Sequence, residues 1–186
     1  MRNETLSLIS SRRSHRAYEK TPLTQEQLDA LLRAAVESPS AVNRQPWHFT
    51  VVRNQPLLDE MNAAVWEQMM KRDSNRRSPR FVDPDFHVFY HAPTVIFLSG
   101  MPDNPYTHID CGIAVENIAL AAESMGLGSV ILGMPRDAFA GERADAFRQA
   151  LHFPEGWDFA IAIAIGVPAD TKEPHPVKED RISFVD

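Results

Sequence analysis

The chain has 186 residues, 44% of them hydrophobic, which supplies a sizeable core and is read as one domain over 1–186. A net charge of -6 and a pI near 5.6 argue against a surface built for nucleic acid or anionic membrane, but leave room for a local cationic pocket for a small anion. The lone Cys111 excludes an internal disulfide, the N-terminal MRNETLSLIS lacks the apolar core of a secretory signal, and no run reaches the roughly 18 apolar residues of a membrane helix, so a cytoplasmic protein is expected.

From Asn3 to about Ser11, Leu6 and Ile9 sit at helical spacing behind an asparagine that can cap the first turn. Thr24 and Gln27 form a capping-box pattern, and Leu28, Leu31, Leu32, Ala35 and Val36 recur at intervals that make one apolar helix face. His48 to Arg53 reads as a strand, and Pro56 suits the first turn of a helix carrying Leu57, Leu58, Met61, Val65 and Met69. Lys71 to His91 resists a regular reading: a basic run, KRDSNRRSPR, precedes the aromatic FHVFYH, and the segment is expected to be a mobile or partner-contacting excursion.

PTVIFLSG from Pro93 has the continuous β-branched and apolar character of a strand buried on both faces. Ile109 to Met125 is apolar nearly all round and predicts a central buried helix, followed by a strand over SVILG and a helix from about Pro135 to Leu151. DFAIAIAIGVP predicts a last buried strand, because alternating Ala and Ile require packing on both sides. Helices on both faces of a mixed sheet follow from this order, with a polar tail from Asp170.

Three guanidinium groups, Arg12, Arg13 and Arg16, with the hydroxyl of Ser14, can surround a phosphate with planar donors, although short basic clusters are also common solvated turns. In SPSAVNRQPW, Pro39 and Pro46 stiffen the loop and push Ser38 and Gln45 toward extended backbone. Ser40, Asn43 and Gln45 then offer donors and acceptors suited to the polar edge of a planar heterocycle, unless they are used up on their own loop backbone. Gly126 and Gly128 follow a helix and precede a strand, the reverse of a dinucleotide loop, so Gly126 reads as a helix C-cap. His87 and His91 lie four apart, but between Pro84 and Pro93 they have no helix to align them, and the cluster His108, Asp110 and Cys111 lacks any metal-site spacing. No metal is therefore assigned. Cys111 reads as a small core residue, and no GxSxG elbow supports hydrolase chemistry.

Taken in order along the chain, RRSHRAY at Arg12, SPSAVNRQPWHF at Ser38, NIALAAESMGLGSVILG at Asn117, the late AIAIGVP and the basic pair Lys178 and Arg181 resemble the nitroreductase family of FMN-dependent oxidoreductases. The resemblance implies an α+β three-layer sandwich, with a central mixed or antiparallel sheet flanked by helices, in an intertwined homodimer that holds FMN at the subunit interface. By the same resemblance, Arg12, Arg13 and Ser14 hold the phosphate and ribityl end, and Arg16 reaches the pyrimidine edge. Pro39, Ser40 and Asn43 come from the partner subunit with Gln45 supporting them, Leu132 and Gly133 flank the ring through backbone groups, and Arg181, with Lys178, completes the phosphate site. Leu132 stands where some members carry a glutamate, which removes a polar contact there. The expected activity is ping-pong reduction of nitroaromatics, quinones or a similar small acceptor with NADH or NADPH. No protein acid or base is obligatory, because the flavin carries the hydride and a cation at its pyrimidine edge favours the reduced state. A specialised reaction of the same fold, such as reductive dehalogenation, or FMN binding without turnover, are the competing readings.

Overall fold

A computed structural model describes residues 3–185 except positions 175 and 177. Helix α1 spans Glu4–Ser11, where the Asn3 side chain accepts the Leu6 N–H at 3.3 Å. In α2, Gln25–Val36, both halves of the capping box form: Thr24 Oγ1 accepts the Gln27 N–H, and Gln27 Oε1 accepts the Thr24 N–H. Strand β1 (Trp47–Val52) leads through the capping Asn54 into α3, Gln55–Met70, with Pro56 in its first turn. Then follow β2 (Thr94–Gly100), α4 (Thr107–Ser124), β3 (Gly128–Leu132), α5 (Ala144–Ala150) and β4 (Asp158–Gly166).

The four strands lie in the order β1-β2-β4-β3, and every pairing between them is antiparallel. The parallel component expected of a mixed sheet is confined, among the described residues, to an isolated bridge between Ser14 and Ser129 at the β3 edge. Side-chain alternation divides the core into two. Val95, Phe97, Ala162 and Ala164 face α3 and the aromatic residues of the 81–92 segment, whereas Ile96, Leu98, Ile163 and Ile165 face α2 and α4. The Ala/Ile alternation of β4 thus places the large residues against the helices. Its small residues leave room on the other face for Phe89, Phe97, Phe139 and Phe159, with Phe139 stacked on Phe159 at 5.2 Å.

Two expectations change. The helix from Pro135 to Leu151 is a 3-10 segment, Met134–Ala140, followed by the short α5, with the break at Gly141, whose backbone is extended and beside which the Gln68 side chain packs. Helix α4 is also not buried all round, since Ile109 remains 60% exposed and Ile113 37% exposed. Gly126 ends α4 as a left-handed cap, φ 70°, with the Leu127 N–H returning to the Ala122 carbonyl at 2.9 Å. Among the described residues, no helix is long and apolar enough to cross a membrane.

Candidate functional site

The cationic arm, Arg12 to Arg16, leaves α1 and runs along the outer edge of β3, where the His15 N–H donates to the Ser129 carbonyl at 2.9 Å. Gly128 is required for this approach, because a Cβ there would meet the His15 Cβ and the Pro168 Cβ at 2.9 Å. The Arg12 guanidinium pairs with Glu116 of α4 at 3.3 Å, and Arg13 turns back onto the carbonyls of Ser10 and Arg12. Arg16 donates to the Ser14 carbonyl at 3.2 Å, and its guanidinium carbon lies 6.0 Å from the centre of the Tyr90 ring.

Arg80 also approaches this ring, its guanidinium carbon 5.7 Å from the same centre. Its guanidinium pKa is lowered by partial burial and by the charge of Arg16. Among the described residues neither Arg16 nor Arg80 has an acidic side-chain partner, while Arg16 Nε and the Tyr90 hydroxyl are buried without a hydrogen bond. Buried polar atoms in native proteins are nearly always paired, so two orphans beside two uncompensated cations fit a planar, electron-rich ligand edge. Sequence reasoning left Arg80 unassigned. Only the fold separates it from its neighbours: Arg72 is held by Asp137 at 2.6 Å, and Arg77 by the carbonyls of Arg72 and Met70.

The segment around Arg80, expected as a mobile or partner-contacting excursion, has defined local structure. Two 3-10 turns, Ser74–Arg76 and Pro79–Val82, are followed by an edge-to-face ladder of Trp66, Phe81, Phe86 and Tyr90, with successive ring centres 4.7, 5.2 and 5.7 Å apart. The Trp66 Nε1–H donates to the Phe86 carbonyl at 3.0 Å and ties the ladder to α3. The rings pack against one another as a wall in which the Trp66 N–H is satisfied and the Tyr90 hydroxyl is not.

The polar loop is strained as well as stiff. Val42, Asn43 and Gln45 have φ of 48°, 53° and 47°, so Gln45 does not take the extended backbone expected ahead of Pro46. Internal bonds hold the turn: Ser40 Oγ accepts the Gln45 N–H at 2.9 Å, and Asn43 Oδ1 accepts from Gln45 Nε2 at 3.1 Å. Part of the polar set is therefore used within the loop, while Pro39, Asn43 and Gln45 stay exposed. Two residues of α4 fasten the loop to the body. Asp110 accepts the Ala41 N–H at 3.3 Å, and Asn117 donates to Ser38 Oγ at 2.8 Å. Because Glu116 holds Arg12, adjacent faces of α4 carry both halves of the expected site. Among the described residues no hydrogen bond or ion pair joins the arm directly to the loop.

The Leu132 side chain lies in the core, so only its backbone is available to a ligand, whereas Gly133 is exposed with open space where a Cβ would point. Lys178 and Arg181 lie in the exposed tail around the Glu179–Arg181 turn, and among the described residues Arg181 pairs only with the neighbouring Asp180 at 3.6 Å. A cleft of about 310 Å³ between Thr107, His108, Arg136, Phe139 and Asp158 is lined by none of the expected flavin residues.

His87 and His91 do converge without a helix, through a turn with positive φ at Tyr90 and His91, and Asp59 joins them with ligand atoms within 4.8 Å of one another. The hydrogen bonds point away from metal ligation: His87 Nδ1 accepts the Phe89 N–H at 3.2 Å, so Nε2 carries the proton and donates to Asp59 Oδ1 at 3.2 Å. Ligation through Nε2 would require the proton on Nδ1, where Phe89 already points one. Burial, and less so the neighbouring His91, lower the His87 pKa against the opposing effect of Asp59. Cys111 is buried and its thiol pKa is pushed up to about 12, by burial and then by Asp110, which leaves it inert.

The profile of the nitroreductase family matches residues 9–167. A crystal structure of a nitroreductase with bound FMN from Desulfitobacterium hafniense superposes with a TM-score of 0.94 at 36% identity, covering 100% of both chains. A nitroreductase with bound FMN from Bacteroides fragilis gives 0.91 at 30% identity, again over 100% of both chains. A protein of Archaeoglobus fulgidus, provisionally named NADH dehydrogenase/NAD(P)H nitroreductase, is 36% identical over 171 residues, 91% of this chain and 88% of that relative.

Proposed function

The chain belongs to the nitroreductase family, and from that membership we propose that it is a cytoplasmic FMN-dependent NAD(P)H oxidoreductase, folded as one domain over 1–186, that reduces nitroaromatics, quinones or a similar small acceptor. The observation that carries the reading is the uncompensated pair Arg16 and Arg80 around Tyr90, with Arg16 Nε and the Tyr90 hydroxyl buried and unpartnered. When bound, FMN supplies the redox chemistry, accepting a hydride from the nicotinamide and passing electrons to the acceptor in alternating, ping-pong turnover.

The protein's own contribution is position and charge. Arg12, Arg13 and Ser14 hold the phosphate and ribityl end, with Lys178 and Arg181 folding onto the phosphate from the tail. Arg16 offers its free Nε–H to the pyrimidine edge and balances the negative charge that reduction places there. Leu132 and Gly133 present backbone groups beside the ring, where the open space at Gly133 permits close approach. Pro39, Ser40 and Asn43, braced by Gln45, close the site from a second subunit. The exposed Leu6 and Ile9 of α1 and Ile109 and Ile113 of α4 supply the apolar face for such a homodimer.

The test is an absorbance spectrum of the purified protein followed by anaerobic titration with NADH and with NADPH. A yellow protein that bleaches with at least one of them is expected; a colourless protein that takes up no added FMN, or a yellow one that neither nicotinamide bleaches, would overturn the enzyme reading. Steady-state lines at varied acceptor concentration are expected to run parallel, and intersecting lines would refute alternating turnover.

A further inference from the structure

Asp170 stands just beyond β4, with its side chain 18% exposed, and receives three donors: His15 Nδ1 at 2.6 Å, the Arg16 backbone N–H at 3.2 Å and Lys172 Nζ at 2.9 Å. Burial opposes its charge, yet Lys172, His15 and the Arg16 N–H together hold the carboxyl below its usual range. Two of the three donors belong to the cationic arm. That arm has no regular structure of its own, and it lies on the sheet through little besides the Ser14–Ser129 bridge. Around Asp170 the attachment continues: the Tyr18 hydroxyl donates to the His15 carbonyl at 2.7 Å, and the Ala169 N–H to the Ala17 carbonyl at 2.9 Å.

Three like charges within five residues repel one another, so their direction must be imposed by the backbone that carries them. The carboxylate of Asp170 grips that backbone at Arg16 and the intervening side chain at His15, on the side away from Arg12, which Glu116 holds independently. We infer that Asp170, acting through His15 and the Arg16 N–H, is a positioning residue that sets the aim of the cationic arm and thereby its affinity for the anionic cofactor. The inference rests on the proposed FMN site. It names a residue that makes no contact with the ligand, and a pairing that spans 155 positions of the chain.

The experiment titrates FMN into wild type, Asp170→Asn, Asp170→Glu, Lys172→Met and His15→Gln, following flavin fluorescence, with the thermal midpoint of each apo protein measured in parallel. Asp170→Asn keeps the shape but loses the charge and one acceptor, and is expected to raise the dissociation constant about ten-fold, the scale of one charge-assisted bond. Asp170→Glu, which retains both acceptor oxygens, is expected to restore most of the affinity, Lys172→Met to leave it near wild type, and His15→Gln to fall between. Wild-type affinity in Asp170→Asn would overturn the inference while leaving the FMN reading intact. Equal loss in the Asn and Glu variants together with lowered midpoints would overturn it in favour of a merely structural role. Should Asp170→Asn fail to fold, unchanged affinity in His15→Gln refutes the inference, and a wild type that binds no FMN removes both readings.

Discussion

Val42 pairs a β-branched side chain with φ 48° and is 86% exposed, a conformation that costs of order 1–3 kcal/mol and is retained only where the surroundings impose it. Val42→Gly is expected to raise apo-protein stability by about 1 kcal/mol in chemical denaturation and to weaken FMN binding, because a relaxed loop no longer aims Ser40 and Asn43. Gly133 gives the converse test. No atom lies within 4 Å of the position its Cβ would take, so Gly133→Ala should leave stability unchanged while lowering FMN affinity, which equilibrium denaturation and a binding titration separate. At this scale the motif residues were legible, because Arg12, Arg13, Ser14 and Arg16 are local in sequence. Arg80 was not legible: its neighbours Arg72 and Arg77 have the same chemistry, and only contacts with Asp137 and with backbone carbonyls remove them from consideration. Asp170 was equally hidden, since nothing local connects a carboxylate after the last strand with an imidazole near the start.

Among elements, α1 to α3 follow their capping residues and the four strands their apolar patterns, whereas the 134–150 region does not. A helical pattern was read there, but the Gln68 side chain of α3 packs where Gly141 lacks a Cβ, and the chain breaks into a 3-10 segment and α5. In the 71–91 segment the aromatic residues lack a period in sequence yet interlock edge to face. His87 in the same segment is buried with a lowered pKa. A histidine whose folded pKa is depressed keeps its contribution above the unfolded value of about 6.5 and loses it as pH falls, because the unfolded chain binds the proton more readily. Stability is therefore expected to decline on acidification from about pH 7 toward 5, and His87→Gln to flatten that decline, as measured by urea midpoints across the range.

For the molecule as a whole, the sheet buries both faces, but α1 and α4 leave Leu6, Ile9, Ile109 and Ile113 to solvent in one chain. A charge at Ile113 faces this patch without entering the core of the chain. Ile113→Glu is expected to give a monomer in sedimentation velocity, with the subunit's own secondary structure retained and FMN lost. A dimer that still binds FMN would move the interface elsewhere.

By itself the sequence determined the α+β alternation, the helix caps, the buried strands and the two local motifs, because capping, periodicity and steric restriction act within a few residues. The tertiary structure alone decided which residues those motifs meet. It set Arg80 beside Arg16, Asp170 beneath the cationic arm, and the arm and the polar loop on adjacent faces of α4. Such pairings join positions far apart in the chain, and the choice among chemically equivalent arginines and carboxylates rests on packing and charge compensation that no local pattern records.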